Sequence, residues 1–305
     1  MKSPELEQLI AALRAGAPDL SAPPAVVRAG LSQMVAAAPV ASDIQFESVH
    51  LGGVPALASR TPGAAPERTL IYLHGGAYVF GSPQDYRSLS AELGRAFGSR
   101  AISLDYRLAP EHPFPAAVND AVAAYRALLE EGRAPGTIVV AGDSAGGGLV
   151  VSMLVAAREA GLPMPAAALA ISPWVDLACE GSSMQSKLEE DPALEREGLL
   201  AMAELYLNGT PADTPLASPL HADLASLPAL LIQVGSAEIL LDDAVRLAAR
   251  AGEAGVRVKL SVWPDMPHVW HFFGFMLTEG RQAIAEAADF LGAQLGRHER
   301  AQRGA

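Results

Sequence analysis

Apolar residues in this chain gather in short unbroken runs, each followed by a longer stretch in which they recur every three or four positions. The runs are LIYLH (70–74), RAISLDY (100–106), TIVVAGD (137–143), AALAISPW (167–174), ALLIQVG (229–235) and VKLSVWP (258–264). They are rich in Ile, Leu and Val and mostly continuous rather than alternating, the pattern of strands covered on both faces, as in a parallel sheet. Helical periodicity fills 84–97, 116–131, 145–161 and 242–254, and returns from 276 to 296. Alternation of this kind predicts an α/β fold with right-handed crossovers. Ahead of the first run, IQFESVHL and VPALASR read as a hairpin joined by Gly52 and Gly53.

Two regions break this rhythm. Residues 1–40 read as two helices separated by AGAPDLSAPP, the first with Leu6, Leu9, Ile10 and Leu13 on one face and Pro4 in its first turn. Residues 178–215 place a polar, helix-prone stretch between two strands. An insertion of that size among short connections points to function rather than filler.

Composition narrows the class. Half of the 305 residues are apolar, enough for one large core. The net charge is −12 and Lys and Arg form no cluster, so nucleic acid is not an expected partner. No apolar stretch reaches the roughly 18 residues that span a bilayer. The first sixteen residues carry acids early and lack a long apolar core, so no secretory leader is expected. A single cysteine, Cys179, cannot form an internal disulfide and reads as a small packing residue of a reducing compartment. These features predict an acidic, globular, cytoplasmic protein.

The strongest chemical signal is TIVVAGDSAGGGLV. Gly142-Asp143-Ser144-Ala145-Gly146 fits G-x-S-x-G and sits after a buried strand and before a helix, where a strained turn would lift the Ser144 hydroxyl clear of the sheet. A serine hydroxyl needs a base to take its proton, and the base needs an orienting acid. Downstream histidines are His221, His268, His271 and His298. His268 follows VKLSVW through a short loop, at the strand edge where open α/β sheets gather their sites. His221 precedes a strand, His271 opens the aromatic segment WHFFGF, and His298 lies in a charged tail. The acid is expected in SAEILLDDA: Glu238 comes first after the strand, with Asp242 the alternative, while Asp242 and Asp243 also read as a helix start. Asp176 is a further candidate, and Asp265 lies too near His268 in sequence.

Acyl transfer also needs donors for a developing oxyanion. The N–H of Ala145 is one, and the loop HGGA offers Gly75 and Gly76, whose amides no side chain obstructs. His74 reads as a residue that holds this loop without a chemical step. Tyr78 and Phe80 follow closely enough to line the site.

These motifs resemble the bacterial hormone-sensitive lipase family (family IV) of α/β-hydrolases, carboxylesterases marked by a His-Gly-Gly-Gly loop and G-D-S-A-G. The resemblance covers nearly the whole chain through HGGAYVFGS, DYRLAPEHPFPAAVND, GDSAGGGL, SPWVDL, GSAEILLDD and PDMPHVW. It implies a mostly parallel eight-stranded sheet, with core halves at 41–177 and 216–305 and a helical cap from 1–40 and 178–215. It implies Ser144 as nucleophile, Glu238 as acid, His268 as base and Gly75, Gly76 and Ala145 as oxyanion hole. Arg107, Glu111 and Asp120 would brace the core. Two departures stand out: Ala77 replaces the loop's third glycine, and the acid is Glu where the family more often has Asp.

The implied activity is hydrolysis of short- to medium-chain acyl esters through an acyl-enzyme, with no metal or organic cofactor. An amidase or specific deacetylase would use the same groups. A non-catalytic small-molecule receptor of this fold is a further alternative, against which His268 speaks because such receptors lose that histidine. Family members pair through the edge strand nearest the histidine, here VRVKLSVW, so a homodimer is expected.

Overall fold

The computed structural model describes residues 2–17, 19–35 and 38–303; the side chains of 31, 33–35 and 296–303, His298 among them, lie outside the described residues. So do residues 1, 18, 36 and 37 of the expected cap segment.

The predicted hairpin forms between β1 (Gln45–Leu51) and β2 (Val54–Arg60). Gly52 and Gly53 take φ of 61° and 83°, the left-handed conformation that a two-residue hairpin turn requires. The other strands are β3 (Ala65–Leu73), β4 (Ser99–Leu104), β5 (Ile138–Asp143), β6 (Ala167–Ile171), β7 (Ala229–Gly235) and β8 (Val258–Trp263). They form one eight-stranded sheet in the order β1-β2-β4-β3-β5-β6-β7-β8. β1, β2 and β4 pair antiparallel, and every pairing from β4 across to β8 is parallel.

Helices cover both faces, so β5 and β6 bury every side chain. Ile138, Val139, Val140 and Ala141 of β5 are all fully inaccessible; burying such a Val or Ile contributes about 1.5–3 kcal/mol each. The helices after strands are α3 (Arg87–Phe97), α4 (Ala116–Glu130), α5 (Ala145–Glu159), α8 (Leu241–Glu253) and α9 (Thr278–Arg303). The 178–215 region contributes the short α6 (Ser183–Ser186) and α7 (Arg196–Leu207). α1 (Pro4–Gly16) starts at Ser3, whose hydroxyl accepts the Leu6 N–H, and ends at Ala17. Its Leu6, Leu9 and Leu13 pack on Met266, Trp270 and Leu277, the segment that carries His268. α2 is Pro24–Val35.

Three strand ends differ from the pattern for local reasons. β3 begins at Ala65, five residues before the apolar run, because its polar start APERT is only half covered and carries a register irregularity. β4 stops at Leu104, since the Asp105 N–H turns to Pro55 O. β6 stops at Ile171: Ser172 adopts φ 44° and Pro173 has no N–H to donate.

Candidate active site

Ser144 stands between β5 and α5 with φ 55° and ψ −123°, outside the ordinary regions for a side-chain-bearing residue. Close backbone approach makes this turn possible. A Cβ on Gly142 would meet Gly146 O and Leu73 O, and one on Gly146 would meet Leu73 O and His74 O. The following glycines let α5 approach the chain beyond β6, since a Cβ on Gly147 would press on Pro173 and one on Gly148 on Trp174 O. Ser144 Oγ makes no hydrogen bond among the described residues, and Ser144 lines a solvent-open cleft that His268 also lines. The contact between such a pair commonly tightens only with substrate bound.

His268 Nδ1 lies 2.7 Å from Glu238 Oε2, within a histidine and carboxylate that are both almost wholly buried. The other oxygen, Oε1, accepts the Gly235 N–H at 2.6 Å and the Ser172 hydroxyl at 2.8 Å. Ser172 Oγ in turn accepts the Val269 N–H at 3.2 Å, so one hydroxyl ties the Glu238 loop to the His268 loop. Burial works against the imidazolium. The Glu238 hydrogen bond and charge, with Asp191 and Asp143 behind them, outweigh burial and raise the His268 pKa.

Asp242, the alternative acid, instead accepts the Ser182 N–H and hydroxyl at 2.6 and 2.9 Å. Asp243 is fully buried at the start of α8, where it accepts the Val175 and Asp176 N–H groups and meets Arg246. Asp176 pairs with the same Arg246 at 2.8 Å, and Asp265 is exposed. His271 is buried, with Nε2 3.0 Å from Gln233 Oε1 and a pKa pulled down to about 3 by burial. Cys179 is a buried free thiol pushed up to about 12, first by burial, which suits a packing role.

The glycine loop corrects one expectation. Gly75 does not offer its N–H to the cleft, because Asp143 Oδ1 accepts it at 3.0 Å. The next two residues line the cleft instead: Gly76, with φ 113°, and Ala77, with φ 50°. Neither donates a backbone hydrogen bond among the described residues, and Ala145 N–H, in the first turn of α5, is likewise unengaged. The reason lies in Asp143. Its carboxylate is fully buried under Ser144, also accepts the Tyr72 hydroxyl, and needs a further donor. Burial pushes it up to about 6.

Other contacts hold the same loop. His74 stacks on Tyr106 with centroids 4.3 Å apart and donates through Nδ1 to Gly75 O at 2.7 Å; burial pulls its pKa down to about 4. Arg28 of α2 donates to Val79 O at 2.8 Å and to Ala109 O at 2.9 Å, and forks onto Glu111 at 2.7–2.8 Å. Glu111 therefore braces α2, while Arg107 and Asp120 pair with each other at 2.7 Å.

Phe80 lines the cleft, but Tyr78 does not. With φ 62°, Tyr78 is buried elsewhere, stacked on Tyr206 of α7 at 3.9 Å and 7°. The cleft is roofed by Leu13 and Leu20 from the N-terminal segment and by Ala193, Leu194 and Leu199 from the insertion. In that insertion Asp191 accepts the N–H groups of Ala193 and Leu194 and, across to the Glu238 loop, of Ile239 at 2.8 Å. Sequence reasoning missed Asp191, Ser172 and the role of Asp143. Ser172 and Asp143 do stand at the C-terminal ends of strands, a detectable position; Asp191 had no such signal.

A family model described as alpha/beta hydrolase fold matches residues 70–272. An acetyl-hydrolase from Streptomyces hygroscopicus is 55% identical over 230 residues, covering 75% of this chain and 77% of that protein. An esterase from Acinetobacter venetianus is 33% identical and covers 89% of both chains. An ethyl acetate hydrolase from Pseudomonas putida is 35% identical over 78% of this chain and 74% of its own. A solved esterase of the bacterial hormone-sensitive lipase family superposes with a TM-score of 0.94 at 48% identity, covering 97% of this chain and 99% of that one. Strained serine turn, buried carboxylate–imidazole pair and full-length similarity converge: the chain belongs to the bacterial hormone-sensitive lipase family of esterases, built on the α/β-hydrolase fold.

Proposed function

We propose that this protein is a serine carboxylesterase for short- to medium-chain acyl esters, with Ser144 as nucleophile, His268 as base and Glu238 as orienting acid. The observation that carries the reading is the 2.7 Å contact between His268 Nδ1 and Glu238 Oε2 beside the strained Ser144 turn. Glu238 holds the ring so that Nε2 is free to take the Ser144 proton.

Ser144 Oγ attacks the ester carbonyl while its proton passes to His268 Nε2. The carbonyl oxygen becomes an oxyanion that the N–H groups of Gly76, Ala77 and Ala145 receive. Collapse breaks the bond to the alkoxy oxygen, which leaves as alcohol with the proton from His268. Water then attacks the acyl-enzyme and gives one proton to the same nitrogen; the bond from the acyl carbon to Ser144 Oγ breaks, Oγ takes that proton back from His268, and the carboxylic acid leaves. The apolar roof from 1–40 and 178–215 acts as a cap that keeps bulk water away and strengthens the polar interactions beneath.

A small acyl group is supported by relatives named acetyl-hydrolase and ethyl acetate hydrolase, and the mainly apolar lining of the cleft suits an acyl chain. The first of those names also supports a second reading, a deacetylase acting on acetyl amides as well as esters. Matched acetyl ester and acetyl amide substrates separate the two. Ser144→Ala tests the whole scheme: loss of at least about 10⁴-fold in kcat is expected, and near-normal hydrolysis of p-nitrophenyl butyrate would refute it. The free edge of β8, with Val262 exposed, supports pairing into a homodimer.

A further inference from the structure

Phe272 occupies an unusual position between two spaces. It lies in the short turn Trp270–Phe273, four residues beyond His268, with its N–H bonded to Val269 O at 3.1 Å. Its buried side chain is one wall of the cleft that holds Ser144 and His268. Phe272 is also a wall of a second cleft, which opens to solvent. Tyr86 and Phe273, which line the first cleft, hold the ring edge-on at 5.9 and 5.8 Å. Leu89 of α3, Ile284 of α9 and Val40 give the second cleft an apolar floor, and Glu92, Arg95 and Arg281 stand among its walls.

We propose that Phe272 is the partition that ends the substrate cleft and so sets the upper size of the ester accepted. The proposal rests on the esterase reading above. A chain reaching Phe272 meets an aromatic wall held by its neighbours, and the apolar floor of the second cleft, formed by Leu89, Ile284 and Val40, lies behind it. Removing the ring joins the two spaces. Each methylene then admitted to apolar surroundings is worth about a fourfold gain in binding, so two would raise specificity for a long chain about tenfold or more.

The test is a p-nitrophenyl ester panel from acetate to decanoate, read as the ratio of kcat/KM for decanoate over acetate. Phe272→Ala is expected to raise that ratio about tenfold, mainly through a lower KM for the long ester. Phe272→Trp is expected to lower it. Adding Ala285→Phe, at the exposed rim of the second cleft, to Phe272→Ala narrows that cleft and is expected to reverse part of the gain. If Phe272→Ala does not fold, Phe272→Leu carries the test with a smaller rise. A ratio unchanged in a folded Phe272→Ala or Phe272→Leu protein, with Ser144→Ala inactive throughout, overturns the partition and leaves the esterase reading standing. Ser144→Ala that still hydrolyses the panel overturns both.

Discussion

The Gly75 N–H meets the Asp143 carboxylate at 3.0 Å, a contact that joins the glycine loop after β3 to the residue just before Ser144. The Tyr72 hydroxyl reaches the same carboxylate, so two donors share one buried acid beside Ser144. In the proposed mechanism this fixes Ser144 and the Gly76 and Ala77 N–H groups relative to one another before substrate arrives.

Asp143→Ala should therefore injure both stability and catalysis. It leaves the Tyr72 hydroxyl and Gly75 N–H buried without an acceptor, at about 1–3 kcal/mol for each. A lower melting temperature and a fall in kcat approaching about 100-fold are expected. Asp143→Asn keeps an acceptor oxygen and should lie between wild type and alanine.

Ala77 offers a test of backbone geometry. A left-handed residue with a Cβ carries roughly 1–2 kcal/mol of strain, which glycine relieves at some entropic cost. Ala77→Gly should leave kcat within about twofold, because the N–H remains and the two terms nearly offset. Ala77→Val, β-branched at φ 50°, should lose most activity and stability.

The rate should depend on pH through His268. A protonated imidazole cannot accept the Ser144 proton, so kcat/KM falls as pH drops through the His268 pKa. Burial lowers that pKa, but Glu238, Asp191 and Asp143 together raise it. The acid limb should thus lie above the value of about 6.5 for a free histidine. Glu238→Gln removes the nearest charge, and should move the limb to lower pH while cutting kcat by up to about 10⁴. A limb that stays in place would argue against Glu238 as the partner. Asp242→Ala should change neither.

Asp191 links the insertion to the acid loop. Asp191→Ala strands the N–H groups of Ile239, Ala193 and Leu194 and should lower kcat/KM by up to about 100-fold through a displaced Glu238 loop. Asp191→Asn should recover part of it, whereas Lys187→Ala, in a surface pair of the same insertion, should change little.

The proposed dimer predicts a solution mass twice the 31.7 kDa of one chain by light scattering. Val262→Lys on the exposed edge of β8 should return it to the single-chain mass.

By itself, the sequence determined the order of strands and helices, because apolar runs and helical periodicity report burial directly. It also singled out Ser144, His268 and Glu238 as candidates, since each sits just past a strand. What it could not supply were contacts between distant segments. Gly75 looked available because nothing nearby in sequence engages its N–H; its acceptor, Asp143, lies 68 residues away. Tyr78 looked like a wall of the site until the left-handed backbone and the Tyr206 ring of α7 drew it elsewhere. Asp242 and Glu238 differ by four positions, and only the fold separates a carboxylate aimed at His268 from one bound to Ser182. Local pattern encodes which elements form, while long-range packing decides which polar groups remain free to act.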